Sequence, residues 1–377
     1  MEPKDYPERI LLAVTGLSPQ VVTETLFVLA VRNTPPFTPT EVHLLTTSEG
    51  QSRAELTLLE DGQGQFARLC REYGLEGIRF GPEQIHVIAD ASGRQLNDIR
   101  EPADNTAAAD TITDTVRRLT ARPDSALHVS IAGGRKTMGF YLGYALSLFG
   151  RPQDRLSHVL VSEPFESNPQ FYFPPVEPEV LFTRDNKPVS TRDARLTLAE
   201  VPFVRLRHGL PEDLLSGDAD FSTTVRAAQR GIDPPRLCVD LDGRQVVCGG
   251  KPVPMQPQLL AWLAWMAGRR VADLPHGGHV HWTEADPSEF LRIYRSLVGE
   301  MSHDYEKASE VLRDGFSKDY FLEKVSRVNA VLRAAHPPNA DAYRIRRSGR
   351  RPLSRHGLTL DPAAISFGAP AAGPDAG

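Results

Sequence analysis

Through the first half of the chain, apolar runs of strand length alternate with apolar positions at helical spacing. Residues 9–15 (RILLAVT) are a continuous apolar run, the pattern of a strand buried on both faces. Gly16-Leu17-Ser18-Pro19 ends it, and Pro19 suits the first position of a helix with Ser18 as its N-cap. Val21, Val22, Thr25, Leu26 and Leu29 then fall at helical spacing. A second strand is predicted over 41–47 (EVHLLTT), broken by Ser48-Glu49-Gly50, and a long helix over 53–73. A third strand over 84–89, a helix over 106–119, a fourth strand over 127–131 and a fifth over 157–162 follow. Such alternation predicts an α/β domain with a mostly parallel sheet and helices on both faces. Ligands of such sheets sit beyond the carboxyl ends of the strands, where strand order reverses. Loops 16–20, 48–52 and 133–137 are expected to converge there.

The pattern changes after the fifth strand. Residues 163–178 (EPFESNPQFYFPPVEP) are proline-rich and are read as closing a first domain, 1–178. Residues 179–235 read as a linker or hairpin extension around Asp185-Asn186. A second domain is expected over 236–365. It opens with a hairpin turning at Asp242-Gly243 and continues through helices at 259–267, 287–298 and 321–333. The last of these carries Lys324, Ser326, Arg327 and Asn329 as exposed polar residues, and a basic pair of strands follows at 343–360. Hairpin, helices and basic hairpin in that order predict a smaller α+β, winged-helix-like domain. Residues 366–377 are expected to be a disordered tail.

The fourth strand runs into Ala132-Gly133-Gly134, with Arg135, Lys136 and Thr137 at the start of a helix. Two glycines let the backbone approach a ligand. The free N–H groups of a helix start favour an anion, and an arginine and a lysine add charge that pairs with phosphate. The plain alternative is a tight turn followed by a solvated first turn. GGRKT is neither a P-loop, which needs GxxxxGK[ST], nor a dinucleotide GxGxxG. With 40% apolar and 24% charged residues among 377 and a formal net charge of −5, the chain is no polycation. A site for a polyanion must therefore be a local patch. No apolar run reaches the roughly 18 residues of a membrane span, and MEPKDYPERI lacks the apolar core of a signal peptide. Cys70, Cys238 and Cys248 have no metal-ligand spacing; the last two flank a hairpin and could pair, but free thiols in a reduced cytoplasmic setting fit better. No metal, cofactor or membrane partner is expected.

TGLSPQVVTET (15–25), SIAGGRKTMGFYLGYALSLFG (130–150) and HVLVSEPFESNPQFYFP (158–174) resemble the CRISPR-associated Rossmann-fold (CARF) family. Within it they look like the standalone ring nucleases of type III CRISPR systems. The resemblance covers about the first 180 residues. It implies a Rossmann-like domain that pairs as a homodimer and cradles a cyclic oligoadenylate, cyclic tetra-adenylate or cyclic hexa-adenylate. It also implies metal-independent cleavage of that ring, with a serine or threonine after the first strand and a lysine in the late glycine loop carrying it. Those positions are Ser18 and Lys136 here, with Arg135 and Thr137 as phosphate contacts. Thr15, close to Ser18, stands as its alternative. Gly16, Leu17, Gln20, Thr47, Ser48, Gly133 and Gly134 complete the expected ligand-binding set. No histidine falls in the three loops, which predicts slow turnover.

Two other functions compete. Arg351 and His356 match the R-x4-H of HEPN ribonucleases, but Pro352 and the flanking Gly349 and Gly357 break the helix that pair requires. A ligand-controlled regulator would instead place the helix over 321–333 in a DNA major groove and the basic hairpin on phosphates, or use the domain for protein contact.

Overall fold

Residues 10–14 of the first strand, β1 (Glu8–Val14), are completely buried. Leu11 and Ala13 join one core and Ile10, Leu12 and Val14 the other, so the strand needs a layer on each side. The computed structural model, which describes residues 1–60, 63–272, 274–337, 339–350 and 352–370, supplies both layers. The chain forms two units, Met1–Ala228 and Gln229–Gly377.

In the first unit β1 is followed by α1 (Gln20–Phe27), which runs on into a π-helical turn at Val28–Arg32. Then come β2 (Glu41–Thr46), α2 (Ser48–Ala54), α3 (Gln65–Tyr73), β3 (Ile85–Val87), α4 (Pro102–Thr120), β4 (Ser125–Ser130), α5 (Lys136–Phe149) and β5 (Arg155–Val161). The five strands run parallel in the order β3-β2-β1-β4-β5. Helices α1 and α3 cover one face through Val22, Leu26, Phe66 and Leu69. Helices α4 and α5 cover the other through Ile112, Val116, Leu142 and Leu146. The mostly parallel α/β architecture read from the sequence is thus the one observed.

Two stretches differ from the sequence reading. The helix expected over 53–73 starts earlier, at Ser48, because the Thr47 hydroxyl accepts the Gly50 N–H as an N-cap. It passes into a π-helical turn at Glu55–Leu59, and α3 begins afresh at Gln65; Asp61 and Gly62 lie outside the described residues. Residues 179–235 are also more than a linker. They form a hairpin, β6 (Val180–Phe182) with β7 (Pro188–Ser190), and then β8 (Leu196–Glu200), which joins the main sheet antiparallel to β5. Two further helices follow, α6 (Glu212–Ser216) and α7 (Phe221–Ile232).

The second unit pairs β9 (Leu237–Asp240), β10 (Gln245–Cys248) and β11 (Lys251–Val253) around the expected Asp242-Gly243 turn. Helices α8 (Pro257–Val271), α9 (Pro287–Val298), α10 (His303–Val311) and α11 (Lys318–Ala334) build its core around Trp262, which meets Trp265, Phe290, Phe316 and Phe321 edge-on. A short hairpin, β12 (Arg346–Ser348) with β13 (Arg355–Gly357), comes next. The expected tail is partly ordered: β14 (Ile365–Phe367) pairs with β9, since Ile365 fits the core, while 371–377 lie outside the described residues. On α11 Lys324 is buried, and Asn329 is tied to both backbone groups of Ile345, so only Ser326 and Arg327 of the four polar residues are exposed, and Arg327 pairs with Glu323. His356 sits in a strand, and Arg351 lies outside the described residues. Cys70, Cys238 and Cys248 are free.

One buried pair anchors the far end of β4. Asp154, fully buried, accepts from the Leu127 N–H at 2.9 Å and from Arg151 Nε and Nη2 at 3.0 and 2.9 Å. Asp154→Ala strands the Arg151 charge and is expected to lower stability by about 3 kcal/mol or more in urea unfolding. Circular dichroism is the readout, because all three tryptophans, Trp262, Trp265 and Trp282, lie in the other unit.

Candidate functional site

Strand β1 has β2 on one side and β4 on the other, both parallel, so the order reverses between β1 and β4. At the carboxyl ends of this pair lies a cavity of about 590 Å³. The loop after β1 gives it Gly16, Leu17 and Ser18, and α1 gives it Gln20, Val21 and Glu24. The glycine corner after β4 contributes Ala132, Gly133 and Gly134. The remaining wall was not anticipated: Arg53 from α2, His158 from β5, Glu166 and Asn168 from the loop after β5, and Arg184 from the β6–β7 turn.

The loop after β1 is held from below. Buried Thr15 donates its hydroxyl to the Ser18 carbonyl at 2.8 Å, and its own carbonyl accepts from the Thr46 hydroxyl at 2.8 Å. Thr15 is therefore a staple of the loop and not an alternative to Ser18 at the cavity. Ser18 does not cap α1, which starts at Gln20 with Pro19 in the capping position. Its exposed hydroxyl has no partner among the described residues. Gln20 donates from Nε2 to the Pro169 carbonyl at 3.2 Å, while its buried Oε1 has no donor. Thr47 and Ser48 do not line the cavity: the first caps α2, and the second donates its hydroxyl to the Leu96 carbonyl.

Helix α5 begins at Lys136, as the glycine corner predicts, with Gly134 at φ +76°. Arg135 is committed elsewhere. Its guanidinium grips both carboxylate oxygens of Asp98, with Nε to Oδ1 at 2.9 Å, and so holds the Asp98 pKa down at about 2. The expected phosphate contact at Arg135 is thus an intrachain ion pair. Lys136 and Thr137 are exposed and without partners among the described residues. They line a second, open cavity of about 850 Å³ with Arg100, Glu101 and Asn105. Gly134 borders both cavities, with Ser18 on one side and Lys136 on the other.

Polar groups at the floor add chemistry that the loops alone did not suggest. Glu24 is only 6% exposed, and its carboxyl has no hydrogen-bond partner among the described residues. Burial, and after it the charge of Glu166, push its pKa from the ordinary 4.5 up to about 8. Arg53 and Arg184 are exposed cations with no partner among the described residues. The three loops hold no histidine, as read from the sequence, but His158 reaches the cavity from a strand. His128, which opens the glycine stretch, is a core residue bonded to Ser157 Oγ at 2.7 Å, its pKa pushed down to about 3 by burial. Among the described residues no three His, Cys, Asp or Glu side chains stand close enough to hold a metal ion. No described helix is long and apolar enough to cross a membrane.

A family model described as CRISPR-associated protein NE0113 matches residues 18–234, which takes in β8 and all of the cavity lining except Gly16 and Leu17. No curated protein matches the chain. Among solved structures, Enterococcus italicus Csm6 bound to cyclic hexa-2′-fluoro-hexa-dAMP is similar at 12% identity, over 87% of this chain and 93% of that one. Its TM-score is 0.30, a likeness too slight to bear on fold or ligand.

A Cβ at Gly133 would lie 2.6 Å from the Val14 carbonyl oxygen, so Gly133→Ala must push the two loops apart. Its melting temperature is expected to drop by the equivalent of about 1–3 kcal/mol in calorimetry. For Glu24 the linkage runs through proton uptake. Folded Glu24 keeps its proton to about pH 8, whereas an unfolded glutamate releases it near 4.5. Its contribution is therefore fully present below about 4.5 and is lost as pH rises to about 8. Glu24→Gln should gain stability over the native chain between about pH 5 and pH 8, on the order of 3 kcal/mol. Parallel pH–stability curves for the two proteins would contradict this.

Proposed function

This chain belongs to the CRISPR-associated protein NE0113 family, and from that membership and the switch-point cleft we propose that it binds a cyclic oligoadenylate as a homodimer and opens the ring. Cyclic tetra-adenylate is the ring assigned. The observation that carries the assignment is the pair of unpartnered groups flanking Gly134, the Ser18 hydroxyl on one side and the Lys136 ammonium on the other. Loop residues whose hydrogen bonds are unmade in the free protein are available to a ligand. Arg53 and Arg184 in the same cleft supply the local positive charge that the chain as a whole lacks. Leu17 and Phe140, 57% and 62% exposed on the first loop and on α5, are apolar surface of the kind a second copy covers.

Ring opening uses a nucleophile already in the substrate. A ribose 2′-oxygen bonds to its own 3′-phosphorus as the bond to the 5′-oxygen breaks, leaving a 2′,3′-cyclic phosphate and a 5′-hydroxyl. Holding the attacking and leaving oxygens in line is the main task of the protein. Lys136 and the amides of the glycine corner stabilise charge on the phosphoryl oxygens, and Ser18 orients the 2′-hydroxyl. His158, in the cleft wall, takes the 2′-proton, and the departing 5′-oxygen takes a proton from water to become the 5′-hydroxyl. No step calls on a metal ion.

The rival functions lose support. His356 lies in β13 and half-buried against Phe321, without the helix that HEPN chemistry uses. With Lys324 buried and Asn329 engaged, α11 offers few side chains to base edges.

Labelled cyclic tetra-adenylate incubated with the protein in EDTA is expected to yield linear products ending in a 2′,3′-cyclic phosphate. Lys136→Ala should slow this about 100-fold and Ser18→Ala less, both with the native fold. Undiminished cleavage by Lys136→Ala would sink the assignment. An intact ring with degraded bystander RNA would favour a HEPN activity, and ring-dependent DNA retention a regulator.

A further inference from the structure

The cleft contains polar groups that ring opening does not employ, Glu24 and Gln20 among them. Glu24 sits on α1 one turn beyond Gln20, and both face the cavity. Glu24 is buried without a partner, and Gln20 Oε1 is a buried acceptor without a donor. Two unmet hydrogen-bonding groups on one helical face, at the floor of a cavity, mark the place of a ligand's polar edge. Resting on the reading of the site as a cyclic oligoadenylate cleft, we infer that Glu24 in its neutral acid form, with Gln20, reads the edge of an adenine base.

The match is one of donor and acceptor pattern. Adenine presents the N6 amino donor beside the N7 acceptor, the pair that an Asn or Gln amide satisfies with two bonds. A neutral carboxyl has the same layout, one O–H donor and one carbonyl acceptor on a planar group. Its hydroxyl donates to N7 and its carbonyl accepts from N6, leaving the second N6 hydrogen for Gln20 Oε1. Guanine places two acceptors, N7 and O6, on that edge and has no donor for the Glu24 carbonyl or Gln20. An ionised Glu24 has only acceptors, loses the N7 bond, and adds a negative charge beside phosphates. Burial first, and the charge of Glu166 second, keep Glu24 neutral near pH 7. Glu166, on the loop after β5, repels its charged form, whereas Arg53 of α2, Arg184 of the β6–β7 turn and His158 of β5 line the cavity without bonding to it.

Calorimetric titration with cyclic tetra-adenylate and cyclic tetra-guanylate, at about pH 6.5 and about pH 9, tests this on the native chain, Glu24→Gln and Glu24→Ala. The native protein is expected to prefer the adenine ring and to lose about tenfold or more in affinity at the higher pH. Glu24→Gln, a fixed copy of the neutral acid, should bind as tightly as the native chain at the lower pH and keep that affinity at the higher one. Glu24→Ala should bind weakly at both. A Glu24→Gln protein that follows the native pH curve, or a Glu24→Ala protein that binds like the native one, overturns the role of Glu24 while leaving ring binding intact. No uptake of the adenine ring by the native chain at either pH overturns ring binding, and this role with it.

Discussion

The site depends on how closely the backbone at Gly133 approaches the end of β1. Any side chain there would meet the Val14 carbonyl at 2.6 Å and Val21 Cγ2 at 2.9 Å, so only glycine lets the two loops of the switch point touch. From the other side, Gly50 brings the start of α2 against the same loop, where a Cβ would fall 2.8 Å from the Gly16 carbonyl. Thr15 and Thr46 close the loop from beneath with their hydroxyls. The backbone from Thr15 to Ser18 is thereby fixed without using the Ser18 hydroxyl. A polar group carried on a rigid loop, with its own bond unmade, loses little freedom on meeting a ligand.

What the sequence reveals of this arrangement follows from how local each feature is. The parallel sheet is legible because residues 10–14 are apolar without interruption, and a strand apolar on both faces has few other solutions. Gly16, Leu17, Ser18, Gln20, Gly133 and Gly134 are legible because they directly follow strands whose ends must converge. Arg53, Arg184 and Glu166 are not, because each reaches the cleft from an element whose place is set by tertiary packing. Arg135 misleads for the same reason: Asp98, 37 residues earlier in the chain, claims its guanidinium. Thr47 and Ser48 mislead because a hydroxyl that caps a helix or bonds a backbone carbonyl looks like a free loop hydroxyl until the helix start is known. Strand β8 is hidden in a stretch whose composition suggests only extended chain, since its partner β5 fixes it from outside.

Electrostatics links these long-range residues. A cleft that takes a circle of phosphates, as proposed, would be poorly served by a buried carboxylate on its floor. Burial first, and Glu166 second, remove that conflict by holding Glu24 in its acid form well past neutrality. The exposed Glu166 lines the cavity together with Arg53 and Arg184, so the cleft has both signs of charge among its exposed residues and a neutral, directional group that is buried. Charge at the rim attracts phosphate of any nucleotide, and only directional groups distinguish one base from another. On the proposed reading, affinity and base choice are carried by different residues at different depths.

The position of Gly134 brings the two halves of the proposed chemistry together. It is the low ridge between the cavity of Ser18 and that of Lys136, exposed and at a φ that favours glycine. Neither cavity alone holds both groups, so a ligand that uses them together must straddle the ridge. A mononucleotide gains little from straddling, since its single phosphate can lie in only one hollow. A ring of linked phosphates is suited to it, because successive phosphates can lie on either side while the sugar between them crosses a residue that has no side chain to obstruct it. On this account the absence of a Cβ at 134 is as much a requirement of ligand shape as of backbone conformation.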